Sequence, residues 1–108
     1  EAPALYMIDD LLSKGATVVV FDPEAMENVK AVYGSKIEFA TGQYETLAGA
    51  DALLIATEWS AFRNPDFDKM KTSLKSPLIF DGRNLFDLEE MSNKGFYYES
   101  IGRKTILP

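Results

Sequence analysis

Three polar clusters in the sequence have the side chains needed to contact a ligand, and each directly follows an apolar run. In chain order the clusters are Asp22, Thr57-Glu58-Trp59 and Asp81-Gly82-Arg83-Asn84. Arg83 is the strongest candidate, because a guanidinium presents several donors in one plane and can hold a phosphate or sugar oxygens. Gly82 would let the backbone turn sharply beside it, and Asp81 could orient the loop.

A structural role accounts for the same residues, and the sequence leaves both interpretations open. Arg83 could be a surface side chain that pairs with Asp81 in a turn. Trp59 and Phe62 could fold their loop onto the core, while Glu58 pairs with Arg63. Alternatively, the Thr57 hydroxyl, the Glu58 carboxylate and the indole line a pocket.

The sequence lacks the residues that most self-contained catalytic sites require. It has no Cys and no His, and so lacks the usual thiolate nucleophile, the commonest general base and the commonest metal ligand. No glycine-rich phosphate loop precedes Asp22, which is therefore more simply a helix cap than a ribose ligand. We predict that this chain has no catalytic residue, no metal site and no cofactor site of its own.

Composition and hydropathy exclude two classes of partner. Seventeen acidic and eleven basic side chains give a formal charge of -6, which repels the phosphate backbone of a nucleic acid. The apolar runs, such as residues 52–56, are too short to span a membrane, and the first residues do not have the pattern of a signal peptide. We expect a cytoplasmic protein that contacts neither nucleic acid nor membrane.

The segments that carry the polar clusters alternate between helix and strand. Apolar periodicity and capping residues predict helices at 3–14, 23–33, 41–47, 65–74 and 87–94. Short apolar runs predict buried strands at 17–21, 36–40, 51–57, 77–81 and 96–100. This alternation is typical of an α/β protein with an open, mainly parallel sheet and helices on both faces. Ligands bind such sheets beyond the carboxyl ends of the strands, where the polar clusters lie.

Five segments, taken together, resemble one enzyme family. They are Val20–Met26, Ala50–Leu53, Thr57–Trp59, Phe62-Arg63 and Phe80–Asn84. In this order and spacing they resemble the C-terminal domain of UDP-glucose 6-dehydrogenases, of the UDP-glucose/GDP-mannose dehydrogenase family. The resemblance covers residues 1–103, and its specific parts are T-E-W-x-x-F-R and F-D-G-R-N.

The resemblance implies a Rossmann-like three-layer sandwich that binds a substrate. In that family the whole enzyme oxidises UDP-glucose to UDP-glucuronate, in two hydride transfers to NAD and through intermediates on a cysteine. The C-terminal domain supplies part of the UDP-sugar site. The D-G-R motif assigns contact with the nucleotide sugar to Arg83, with Asp81, Gly82, Thr57 and Glu58 as weaker candidates.

The resemblance also implies that the sequence is a fragment, since the family's catalytic Cys and NAD-binding glycines belong to other regions. The chain begins at Glu1 without Met. We therefore interpret residues 1–103 as the UDP-sugar-binding domain of a longer chain, inactive by itself, and residues 104–108 as a tail. NAD would be bound mainly by the N-terminal domain. The implied partners are UDP-glucose, the N-terminal and central domains, and further copies in a homodimer or larger homo-oligomer.

Two alternatives remain open. The chain could be the equivalent domain of a UDP-N-acetylmannosamine or GDP-mannose dehydrogenase, although T-E-W-x-x-F favours the UDP-glucose branch. It could also be a flavodoxin-like or receiver-like module whose strand-end loops contact another protein. A receiver needs a phosphoacceptor Asp after its central strand, and that position here reads Thr57-Glu58.

Overall fold

A computed structural model describes residues 2–22, 26–56 and 64–108 of the chain. The chain divides into two compact units, Glu1–Thr46 and Leu47–Pro108. Within the described residues of each unit, helices alternate with strands that pair in parallel. The predicted α/β class with open parallel sheets is confirmed. The described strands pair as a two-stranded sheet and a three-stranded sheet, and each strand is shorter than its predicted apolar run.

The first unit contains, in its described part, two α-helices and one parallel strand pair. Its elements are α1 (Ala2–Ser13), β1 (Val19–Val20), α2 (Met26–Tyr33), a 3-10 turn (Gly34–Lys36) and β2 (Glu38–Phe39). Val19 lies opposite Glu38, and Val20 opposite Phe39. The predicted start of α2 at residues 23–25 lies outside the described residues.

The core of the first unit forms where α1 and α2 pack on the strands. Its buried members are Ile8, Tyr33 and Ile37, and the half-buried side chains around them are Leu5, Leu12, Val18, Val20, Val29 and Phe39. The helical spacing of Met26, Val29 and Val32 predicts that these three side chains line one side of α2. Val32 departs from this prediction, because it is 59% exposed while its neighbour Tyr33 is 6% exposed. The Tyr33 hydroxyl donates to the Asp9 carboxylate at 2.8 Å and thereby anchors the end of α2 to α1.

The second unit carries a three-stranded parallel sheet among its described residues. Its elements are β3 (Leu53–Ile55), α3 (Phe67–Ser73), β4 (Leu78–Asp81), α4 (Leu88–Lys94) and β5 (Tyr97–Ser100). The strand order is β3-β4-β5, so β4 is central in this sheet. Ile106, in the segment predicted as a tail, forms an antiparallel bridge with Tyr98 through two backbone hydrogen bonds of 2.9 Å.

Aromatic and aliphatic side chains fill the core of the second unit. The fully buried large side chains are Ile79, Met91, Phe96 and Tyr98. Phe67 stacks edge-on against Phe86 at 5.1 Å between ring centroids and against Phe96 at 6.0 Å. The spacing of Phe67, Met70 and Leu74 in the sequence predicts that they face inward, and the structure confirms this because all three are buried.

Two aspartates set where the helices of this unit begin. The Asp66 carboxylate accepts the Lys69 N–H, and the Asp87 carboxylate accepts the Glu90 N–H, both at 3.1 Å. Each carboxylate satisfies a backbone donor that has no partner within its helix. Helices α3 and α4 therefore start one residue after these caps, at Phe67 and Leu88.

The helix predicted at 41–47 is wrong. Only Glu45–Leu47 is helical, as a single 3-10 turn. The Thr41 hydroxyl donates to the Glu45 carboxylate at 3.1 Å instead of accepting a backbone N–H as a helix cap would. The residues between them consequently form a turn.

Candidate functional site

The loop after β4, residues 81–85, is organised by a buried aspartate. Asp81 is 2% exposed and ends the strand. Its Oδ1 accepts the Arg83 N–H at 2.8 Å, and its Oδ2 accepts the Leu85 N–H at 2.7 Å. Because one carboxylate binds two amides of the loop, the path of the loop is fixed to the end of the central strand. We call residues 81–85 the ligand loop, after the prediction from the sequence that Arg83 contacts a ligand.

The Asp81 carboxylate is held in turn by Tyr98, which itself accepts a hydrogen bond from Arg103. The Tyr98 hydroxyl donates to Asp81 Oδ2 at 2.5 Å. It accepts the Phe86 N–H at 3.2 Å and a hydrogen bond from Arg103 Nη2 at 2.8 Å. The hydroxyl thus uses its proton and both of its acceptor sites. We call Asp81, Tyr98 and Arg103 the Asp81 network.

Arg103 is fixed by two further contacts. Its Nε donates to the Ser100 hydroxyl at 2.9 Å, and its guanidinium lies over the Tyr98 ring at 5.6 Å from the centroid. A cation over an aromatic face adds attraction of about 0.5–2 kcal/mol. The Asp81 network therefore joins a buried carboxylate to a half-buried cation through one phenol.

Burial raises the pKa of Tyr98 from 10 to about 12, and the hydrogen bond to the Asp81 carboxylate contributes to this rise in pKa. The Phe86 backbone and the Arg103 charge act in the opposite direction. At neutral pH the hydroxyl is therefore protonated and available as the donor to Asp81.

Gly82 brings the ligand loop against the end of β3. Its N–H donates to the Ile55 carbonyl at 2.9 Å. A Cβ atom at position 82 would lie 3.1 Å from that carbonyl oxygen, which is tighter than ordinary contact. The position accordingly suits glycine because of this close approach.

Asn84 anchors the other side of the ligand loop. Its backbone is left-handed, with φ of 54°, a conformation that asparagine tolerates better than most residues. Its side-chain amide donates to the Ile101 carbonyl at 3.0 Å and accepts the Ile101 N–H at 2.9 Å. The loop after β4 is thereby clamped to the segment after β5.

Arg83 is exposed and lies between these anchors. Its own N–H is bound by Asp81, and its two neighbours, Gly82 and Asn84, are hydrogen-bonded to Ile55 and Ile101. The Asp81 carboxylate is engaged by the backbone amides of Arg83 and Leu85 and by the Tyr98 phenol. A cationic side chain on a fixed loop at the carboxyl end of a parallel strand can contact an anionic ligand.

Of the other candidates at strand ends, the structure describes Asp22 but not Thr57 and Glu58. Thr57 and Glu58 lie outside the described residues. Asp22, at the carboxyl end of β1 in the first unit, is buried at 9% exposure. It contributes to an open pocket of about 300 Å³, whose lining includes Phe21, Lys30 and Phe39.

Tyr98 and Arg103 are the residues that sequence reasoning missed. The position of Tyr97-Tyr98 in a strand predicts core packing, and Tyr98 does pack in the core with 0% exposure. Its hydroxyl, however, also reaches Asp81. The signal in the sequence is a hydroxyl on a strand whose alternation places it in the core, where a buried hydroxyl needs a partner.

The described ranges hold neither a metal cluster nor a membrane span. Their residues contain no group of three or more His, Cys, Asp or Glu side chains placed to hold a metal ion. None of the helices in the three ranges has both the length and the apolar character needed to cross a membrane.

Sequence comparison identifies related proteins. Residues 1–88 match the sequence model of the UDP-glucose/GDP-mannose dehydrogenase family, UDP binding domain. The chain is 44% identical over 106 residues to the UDP-glucose 6-dehydrogenase TuaD of Bacillus subtilis, covering 98% of the chain and 23% of that protein. It is 43% identical over 103 residues to a UDP-glucose 6-dehydrogenase of Rhizobium meliloti, covering 95% of this chain and 23% of that protein.

A solved structure shows the same fold. The NDP-N-acetyl-D-galactosaminuronic acid dehydrogenase of Methanosarcina mazei Go1 matches with a TM-score of 0.75 and 31% identity, over 94% of this chain and 21% of that one. The fold is Rossmann-like, as predicted. The chain spans less than a quarter of the length of these relatives. The family match excludes the receiver-like alternative, and the chain belongs to the UDP-glucose/GDP-mannose dehydrogenase family, as its UDP binding domain.

Proposed function

We propose that this chain is the C-terminal UDP-sugar-binding domain of an NAD-dependent UDP-glucose 6-dehydrogenase, which oxidises UDP-glucose to UDP-glucuronate. The ligand loop is the observation that carries the proposal. It presents the exposed Arg83 from a backbone fixed by Asp81 and Asn84, at the carboxyl end of the central strand of its sheet. The 42–44% identity to UDP-glucose 6-dehydrogenases of three bacteria supports the same substrate class.

Arg83 would contact the diphosphate of the nucleotide sugar. Its planar guanidinium can donate two parallel hydrogen bonds to phosphate oxygens. Since the chain carries a formal charge of -6, no broad positive field attracts the ligand, and a local contact must supply the affinity. A loop that is already ordered loses little conformational entropy on binding.

The chain supplies binding and orientation in this proposal, while the chemical steps take place elsewhere in the whole enzyme. Its sequence has no Cys, and no glycine-rich turn of the dinucleotide-binding type. We assign no NAD site to this chain, and in this proposal the N-terminal domain holds NAD. The proposed partners are UDP-glucose, the other domains of the same chain and further copies in a homo-oligomer, in the cytoplasm.

Oxidation assays of the whole protein that contains this chain test the substrate. NADH formation would be followed with UDP-glucose, UDP-N-acetylmannosamine and GDP-mannose, each over a range of concentrations. We expect kcat/KM for UDP-glucose to exceed the other two values by about tenfold or more, because a substrate that fits the site poorly loses about 1–3 kcal/mol of transition-state binding. A higher kcat/KM for GDP-mannose, or no NADH with any of the three, would contradict the proposal.

A further inference from the structure

The Asp81 carboxylate depends on a donor from a distant part of the chain. Its Oδ2 is shared between the Leu85 N–H and the Tyr98 hydroxyl, which is the closer of the two partners to it. Asp81 is 2% exposed, so water cannot readily replace a lost donor. Removing the hydroxyl would therefore weaken the force that holds the carboxylate in the orientation required by the Arg83 N–H.

The Tyr98 hydroxyl is itself oriented by Arg103. Arg103 Nη2 occupies one acceptor site of the phenol oxygen at 2.8 Å, which turns the hydroxyl proton toward Asp81. The guanidinium also places a positive charge near the buried carboxylate, and a buried charge is costly unless such a partner compensates it. Arg103 is in turn held by the Ser100 hydroxyl.

Residues beyond the family match thus contact the ligand loop on both sides of Arg83. The family model ends at residue 88. Tyr98 reaches Asp81 on one side of Arg83, and Ile101 binds the Asn84 amide on the other. This short segment joins the two anchors of the loop.

We propose that Tyr98 and Arg103 are positioning residues for nucleotide-sugar binding, which act through Asp81 to hold Arg83 in its binding position. The inference rests on the proposed contact between Arg83 and the ligand. Neither residue needs to touch the ligand. They determine where the Arg83 backbone lies, and so how much conformational freedom the loop loses when the ligand binds.

A double-mutant cycle in the whole enzyme tests this positioning role. The variants are Tyr98→Phe, Arg83→Ala and the double variant, with KM for UDP-glucose and kcat measured for each. We expect Tyr98→Phe to raise KM by about fivefold to tenfold at nearly unchanged kcat. In the Arg83→Ala background the same substitution should leave KM unchanged within about twofold, because residues of one network are not additive.

One control and two further variants separate positioning from general destabilisation. Tyr97→Phe removes a neighbouring hydroxyl, bound to Glu99 on the same strand, and should leave KM unchanged. Arg103→Gln should raise KM as Tyr98→Phe does, and Arg103→Lys should restore part of the loss by keeping the charge. If Tyr98→Phe does not fold, the KM values of Arg103→Gln and Arg103→Lys test the positioning role in its place.

The outcomes distinguish the inference from the proposed function. If Arg83→Ala raises KM but Tyr98→Phe multiplies KM equally in both backgrounds, or leaves it unchanged, the positioning role is wrong and the proposed function stands. If Arg83→Ala itself leaves KM unchanged, the proposed function fails and the inference fails with it.

Discussion

Replacing Arg83 by Ala in the whole dehydrogenase should raise KM for UDP-glucose by about 30-fold, which corresponds to ~2 kcal/mol of lost binding. A charge-assisted hydrogen bond to a phosphate contributes about this much. The loop should keep its shape, because the Asp81 contact is made to the backbone N–H of residue 83, which Ala retains. The hydrogen bond from this N–H to Asp81 should therefore survive the substitution.

The distribution of the effect between KM and kcat is part of this prediction. A contact to the diphosphate is made equally in the ground state and the transition state, so its loss should raise KM while kcat changes little. Arg83→Lys should recover part of the affinity, since it keeps the charge but loses the planar fork. Lys104→Ala, at an exposed position of the same unit, serves as the control and should leave KM unchanged.

The 108-residue chain should lose stability between about pH 10 and about pH 12 through the ionisation of Tyr98. The folded-state pKa of about 12 lies above the ordinary value of 10. The unfolded chain therefore loses this proton first. The contribution of the raised pKa to the free energy of unfolding is fully present below pH 10 and is lost as the pH rises through 12. Two units of pKa correspond to roughly 3 kcal/mol of unfolding free energy.

Urea unfolding followed by circular dichroism, at several pH values from 8 to 12, measures this loss for the native chain and for Tyr98→Phe. Near pH 8 the variant should be less stable, because Asp81 loses a buried donor. The unfolding free energies of the native chain and of Tyr98→Phe should converge as the pH approaches 12. Tyr33 and Tyr97 also have raised pKa values, but both are present in each protein and cancel in the difference. Parallel curves would contradict the assignment, and Tyr6→Phe, at 73% exposure, is the matched control.

The position of the ligand loop could be predicted from the sequence because it depends on local signals. An apolar run that ends in Asp81-Gly82-Arg83 predicts a buried strand followed by a turn. The general rule that ligands bind at the carboxyl ends of parallel strands then identifies the residues of interest. The inward face of α3 could also be predicted from the sequence, since Phe67, Met70 and Leu74 repeat at helical spacing.

Interactions between distant segments could not be predicted in the same way. The hydrogen bond from Tyr98 to Asp81 joins residues 17 positions apart. It depends on the register of β4 and β5, which sets Ile79 opposite Tyr98. No local pattern in the sequence predicts that register. For Val32 and Tyr33, adjacent apolar residues at the end of a short helix compete for the core, and only tertiary packing decides between them.

The prediction of a helix at 41–47 is wrong because a threonine hydroxyl can serve either as a helix cap or as a donor to a nearby side chain. Thr41 has the right type for a cap, but threonine can also donate its hydroxyl proton, and here it does so to Glu45. Residue type alone does not distinguish the two uses.

An amide NMR titration of the 108-residue chain tests most directly whether the ligand loop binds the UDP part of the substrate. UDP, UDP-glucose, GDP and NAD would be added in parallel to the native chain and to Arg83→Ala. We expect UDP and UDP-glucose to shift the amides of Arg83 and Leu85 at millimolar concentration, and these shifts to disappear in Arg83→Ala. Absence of shifts in residues 81–85, or shifts that persist unchanged in the Arg83→Ala chain, would contradict the account.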